Sequence, residues 1–151
     1  MEKHDTVLVL LVTDETPSRA LMIENRKHHR WLPPGGHRKH DENIWETAVR
    51  ETMEETGLDV SDILPKPVPI DETTSIIPLP NYLIEVSTPE RGEQPAHYDT
   101  SYLYVGHVPE PLETTMAESE LSAIGWLTLS QMDDMSIPAD IRYMVEREMT
   151  R

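Results

Sequence analysis

The chain contains no cysteine, sets only 13 Lys and Arg against 28 Asp and Glu, and has no apolar run of membrane-spanning length in its 151 residues. The first absence excludes disulfides, thiol catalysis and cysteine-ligated zinc. The shortage of cations leaves a formal net charge of -15. That balance argues against general nucleic-acid binding, because such proteins gather Lys and Arg to neutralise phosphates. A small polyanionic substrate stays compatible with it where a metal supplies the positive charge. No charged start leads into a long apolar segment, so neither a signal peptide nor a membrane span is expected, and the default expectation for location is cytoplasmic. Length favours a single domain, 1-151, burying roughly two thirds of its unfolded surface.

What is present concentrates between Leu32 and Leu58, in LPPGGHRKHDENIWETAVRETMEETGL. From Asn43 to Thr56 there is no Gly or Pro, Asp41 or Asn43 can cap the start, and Gly57 is placed to end the helix. About four helical turns follow. On them Glu51, Glu54 and Glu55 stand at i, i+3 and i+4, which puts three carboxylates on one face within about 6 Å of each other. Ile44, Ala48 and Met53, with Trp45 and Val49 beside them, are the expected packing stripe. Like charges on one face repel, so a cation is expected there. Mg²⁺ or Mn²⁺ takes oxygen ligands and bridges to substrate phosphates. Gly35 and Gly36 let the backbone approach such an ion, and Arg50 can fix a carboxylate through its planar fork. The plain alternative is a solvated acidic helix.

The full spacing separates the two. Gly36, five residues, Glu42, seven residues, then Arg50-Glu51, Glu54-Glu55 and Gly57-Leu58 resembles the Nudix box of the Nudix hydrolases. Thr52 stands where the family usually has an aliphatic residue, and Lys39 and Asp41 occupy free positions where many members carry Glu and Gly. None of these departures removes a carboxylate. The resemblance implies an α/β fold, the Nudix-type α/β/α sandwich with a central mixed β-sheet. It also implies a metal, Mg²⁺ or Mn²⁺, on Glu51, Glu54, Glu55 and the Gly36 carbonyl. The implied reaction is cleavage of a diphosphate bond in a nucleoside diphosphate linked to another group, of nucleoside triphosphate, ADP-ribose or nucleotide-sugar type. Glu54 or Glu120 is the expected general base, and Arg50 orients a ligand. A Nudix-fold sensor that binds a nucleotide without cleaving it is the alternative, and a plain acidic interaction domain the third reading. Many Nudix enzymes are homodimers, but no interface is legible in this chain.

Elsewhere Val7 to Val12 reads as a buried strand, Asp14 to Ser18 as a turn and Arg19 to Asn25 as a hairpin partner. The basic cluster Arg26 to Arg30 precedes Trp31 and the glycine turn, which makes Arg26 and Arg30 candidate phosphate contacts; its alternative is a solvated loop. His28 and His29 read as loop residues. Five prolines between Pro65 and Pro80 forbid a helix and restrict strand pairing to short pieces. Neither the proline placement typical of ADP-ribose hydrolases nor the tyrosine typical of dinucleoside polyphosphate hydrolases occurs there. Asn81 to Ser87 and Thr100 to Val108 are the next expected strands. His97, Tyr98 and Asp99 lead into the second, and this element looks like one found in a subset of Nudix hydrolases, so His97 and Asp99 are candidate pocket residues or simple loop partners. Glu118 and Glu120 precede the strand Ile124 to Leu127, where many members carry an acid that assists metal, base or nucleoside; either can equally be a solvated acid. Trp31, Tyr82 and Tyr102 are candidates for base stacking or for the core. Ser130 to Asp134 starts a short turn or helix. Pro138 to Met149 reads as an amphipathic helix with Ile141, Met144, Val145 and Met149 inward.

Overall fold

Alternation along the first strand decides the layering. In the computed structural model, which describes residues 2–150, β1 (Lys3–Thr13) turns Val7, Val9 and Leu11 to one core and Leu10 and Val12 to another. Successive strand side chains point to opposite faces. Because both faces are covered, the run reads as continuously apolar rather than alternating.

The strands that follow are β2 (Ala20–Asn25), β3 (Trp31–Leu32), β4 (Gly35–His37), β5 (Val68–Pro69), β6 (Ser75–Ile76), β7 (Tyr82–Thr88), β8 (His97–Val108) and β9 (Leu121–Leu127). The order β3-β2-β1-β8-β7 forms the main path, with β4 added to β1 and β9 to β2. β1 and β8 run parallel, from Lys3 opposite Tyr98 to Thr13 opposite Val108, and the other pairs are antiparallel. The sheet is therefore mixed. Helix α1 (Ile44–Thr56) covers the face bearing Val7, Leu21 and Tyr104, while α2 (Leu129–Met132) and α3 (Ala139–Met149) cover the face bearing Leu10, Met22 and Leu103. This is the expected α/β/α sandwich.

Ile141, Met144, Val145 and Met149 are buried, as the spacing predicts. The proline-rich stretch yields only the two-residue pair β5 and β6. Three expectations are corrected. The β1–β2 hairpin amounts to one registered pair, Val12 with Ala20, because β2 spends its length on β9 and β1 on β8 and β4. His97, Tyr98 and Asp99 lie inside β8, opposite Thr88, Ser87 and Val86 of β7, rather than leading into it. Met53 is 44% exposed and is not part of the packing stripe.

The stripe that does pack is Thr47, Ala48, Thr52, Glu55 and Thr56. Thr52 Oγ1 donates to the Ala48 carbonyl and Thr56 Oγ1 to the Thr52 carbonyl, each at 2.7 Å. Bonding back to the preceding turn satisfies the hydroxyls, so threonine can be buried there without an outside partner. The atypical Thr52 is accommodated in this way.

Candidate active site

Two local devices fix α1 under the glycine turn. Asn43 caps its start with a reciprocal box, Asn43 Oδ1 accepting from the Glu46 amide at 2.8 Å and Glu46 Oε1 from the Asn43 amide at 3.0 Å. Gly57, with φ of 74°, closes the end in the left-handed region, where a side chain would cost energy. The helix so bounded presents Glu51 and Glu55 to β4, with Glu54 more exposed beside Arg50.

β4 meets them at close range. The Gly35 amide donates to Glu55 Oε1 at 2.8 Å. A Cβ on Gly36 would stand 2.5 Å from Glu51 Cδ, and one on Gly35 would stand 2.0 Å from the Val7 carbonyl oxygen. The missing side chain at Gly36 leaves room for the Glu51 carboxylate, and the one at Gly35 lets the turn pack against β1. The Gly36 backbone thus lies directly beside the Glu51 carboxylate.

Arg50 ties the acids together. Its Nη2 donates to Glu42 Oε1 at 2.6 Å and to the His37 carbonyl at 3.1 Å, its Nε to Glu42 Oε2 at 3.0 Å, and its Nη1 to Glu51 Oε1 at 2.8 Å. Nη1 also lies 3.4 Å from Glu54 Oε2. A planar guanidinium serves several acceptors in a fixed fork, which a lysine cannot do. Glu42, a motif position without an assigned role in the sequence reading, is the main anchor of Arg50. The Arg50 hydrogen bond holds the Glu42 carboxyl down at about 2.

The deeper acids behave oppositely. Burial pushes the Glu55 carboxyl up to about 8, with Glu51, Glu120 and Glu54 adding repulsion against the opposing Gly35 hydrogen bond. Burial likewise raises Glu51, and Arg50 offsets part of that rise. Glu51 and Glu55 lie against the glycine turn, the exposed Glu54 and Glu120 add their charge to them, and Arg50 is already engaged by Glu42, so the site has a deficit of positive charge. An oxygen donor set of this kind fits a hard divalent ion.

The other candidate residues divide. Glu120 is exposed, and its charge reaches Glu51 and Glu55. Glu118 is exposed too, but its carbonyl accepts from Arg26 Nη2 at 2.7 Å. Arg26 also has Nη2 3.3 Å from the Leu121 carbonyl, so its guanidinium pins the loop before β9. Arg30 lines a cavity of about 510 Å³ that also touches Gly35, Gly36, Glu55, Arg91 and Asp99. His97 is buried, with Nδ1 3.0 Å from the Pro95 carbonyl, and Asp99 Oδ2 accepts from Thr88 Oγ1 at 2.8 Å. Trp31 and Tyr82 pack against one core, Tyr102 against the other. The sequence reading missed Gly35 as a partner of Glu55, a contact set by the β4–helix approach.

Fold and site together define an α/β/α sandwich whose acidic helix is clamped beneath a glycine turn. A family model described as NUDIX domain matches residues 2–147, and the chain belongs to that family. It is 41% identical over 54 residues to the mRNA-decapping enzyme subunit 2 of Arabidopsis thaliana, a match covering 36% of this chain and 14% of that protein. It is 53% identical over 36 residues to the asymmetrical bis(5'-nucleosyl)-tetraphosphatase of Rattus norvegicus, covering 24% of each chain. These matches span only about a seventh and a quarter of the curated relatives. Among solved structures, the E. coli dihydroneopterin triphosphate pyrophosphohydrolase aligns with a TM-score of 0.72 at 17% identity, over 97% of this chain and 94% of that one. At that identity the likeness supports the fold.

Proposed function

We propose that this chain is a divalent-metal-dependent pyrophosphohydrolase cleaving a diphosphate bond in a nucleoside diphosphate linked to another group. The observation carrying this reading is the convergence of Glu51 and Glu55 on the Gly35-Gly36 turn, with Glu55 nearly fully buried and short of positive charge. Glu51, Glu54, Glu55 and the Gly36 carbonyl would hold Mg²⁺ or Mn²⁺, which when bound offsets phosphate charge and lowers the pKa of a coordinated water. Arg50 keeps Glu42 and Glu51 oriented. Glu54, the most exposed of the helix acids in contact with Arg50, or Glu120 would take a proton from attacking water. Positioned base help is worth roughly 10² to 10⁴ in rate. Arg30 and Arg91 supply cationic charge at the cavity wall, suited to the outer phosphates.

All the box carboxylates are present, which favours catalysis over nucleotide sensing. The test is phosphate release, through a coupled phosphatase, from nucleoside triphosphates, ADP-ribose, dinucleoside polyphosphates and nucleotide sugars. Turnover of one class is the expected result and names the substrate. Silence across the panel with nucleotide binding intact would overturn the hydrolase reading in favour of the sensor.

A further inference from the structure

A second group of ligands assembles away from the acidic helix, through strand register. The parallel pairing of β1 with β8 sets His4 opposite Asp99, and β4 brings His37 opposite Thr6, two residues further along β1. His97, two residues before Asp99, shares its face of β8. Asp99 Oδ1 is buried and accepts no hydrogen bond. Around it lie His97 Nε2 at 3.3 Å, His37 Nε2 at 3.9 Å and His4 Nδ1 at 4.0 Å.

The tautomer of His97 sharpens this. A carbonyl only accepts, so the nitrogen facing the Pro95 oxygen carries the proton, and in the neutral ring Nε2 turns its lone pair toward Asp99 Oδ1. Lone pairs facing one another repel; a cation beside them converts that repulsion into attraction. An anion is disfavoured, because the carboxylate is at the centre of the group.

We propose that His4, His37 and Asp99 form a second metal site, separate from the box carboxylates, that takes a zinc-class transition ion rather than Mg²⁺. Imidazole nitrogen suits Zn²⁺, Co²⁺ or Ni²⁺, whereas Mg²⁺ prefers oxygen ligands. Bonds of about 2.0 to 2.2 Å in a tetrahedral site put ligand atoms about 3.4 Å apart. The three ligand atoms lie within 4.8 Å of one another, so closure takes shifts of about 1 Å, and the His37 side chain, 64% exposed, is able to move. The His97 ring packs against that of His4, with centroids 4.4 Å apart. Three protein ligands leave one position open, the arrangement of zinc sites that bind water or substrate. Asp99 and His37 line the same cavity as Gly36 and Glu55. This site stands whether or not the chain hydrolyses nucleotides.

The test titrates the whole protein with Co²⁺ in excess Mg²⁺ and follows the visible absorption of nitrogen-coordinated cobalt. Stoichiometric uptake is expected, displaced by Zn²⁺. His37→Ala, an exposed change that spares the core, should weaken it at least about tenfold, a loss typical even of indirect disturbance to a metal site. Asp99→Asn should do the same, and Glu55→Gln should leave it intact. No stoichiometric Co²⁺ uptake would overturn the proposal, as would uptake that survives His37→Ala and disappears with Glu55→Gln.

Discussion

Glu55→Gln should lower turnover of the preferred substrate by at least about two orders of magnitude while the protein remains folded. The substitution keeps the shape of the side chain and an oxygen to accept from the Gly35 amide, which Glu55 Oε1 does at 2.8 Å. It removes the charge. Deleting one pre-organised electrostatic group in an enzyme site costs about 10² to 10³ in kcat, or roughly 3 to 4 kcal/mol of barrier. Glu55→Ala is the poorer experiment, since it takes the acceptor from the partly buried Gly35 amide and confuses folding with chemistry. Circular dichroism and steady-state kinetics on Glu55→Gln check the prediction. Unchanged turnover would remove the box from the mechanism.

The same substitution should stabilise the metal-free protein, increasingly so as pH rises. Glu55 has a folded pKa of about 8 against an ordinary value of 4.5. The folded state therefore binds this proton more tightly than the unfolded chain. Its contribution is fully present below about 4.5, declines as pH rises, and is lost above about 8. At about 1.4 kcal/mol per pH unit, the loss reaches several kcal/mol across that window. Glu42 acts with the opposite sign, but its folded value of about 2 confines its effect to acid below about 4.5. In chelator, thermal melts from pH 5 to 9 should show the lead of Glu55→Gln over the wild type growing until about pH 8 and then staying constant. Adding Mg²⁺ at pH 8.5 should reverse the order, because only the wild type gains the binding term. Parallel melting curves at every pH, with no response to Mg²⁺, would contradict the charge deficit assigned to this carboxylate.

How far the sequence announced these features depends on how local their causes are. The start and end of α1 are legible because Asn43 and Gly57 act within one turn of themselves. The carboxylate face is legible because helical spacing alone puts Glu51, Glu54 and Glu55 together. The packing stripe is not: hydropathy points to Met53, whereas the helix buries Thr47, Thr52 and Thr56, whose hydroxyls find partners within the helix or its cap. Arg26 reads as a phosphate contact from its charge, whereas the bonds it makes in the fold, to the carbonyls of Glu118 and Leu121, are remote in sequence and invisible to that reading. The grouping of His4, His37 and Asp99 lies further out of reach. It depends on the parallel register of β1 with β8 and on β4 joining β1, neither of which leaves a mark on the local pattern.

The central claim is that the acids gathered at the glycine turn form a cation site at which a diphosphate bond is broken. Its most direct measurement is turnover of the best substrate in one sample, first with Mg²⁺, then after chelation, then with Mg²⁺ restored. The account predicts full activity, loss to background and full recovery, with no recovery in a Glu51→Gln and Glu55→Gln double variant. Turnover that persists through chelation, or returns in the double variant, would contradict it.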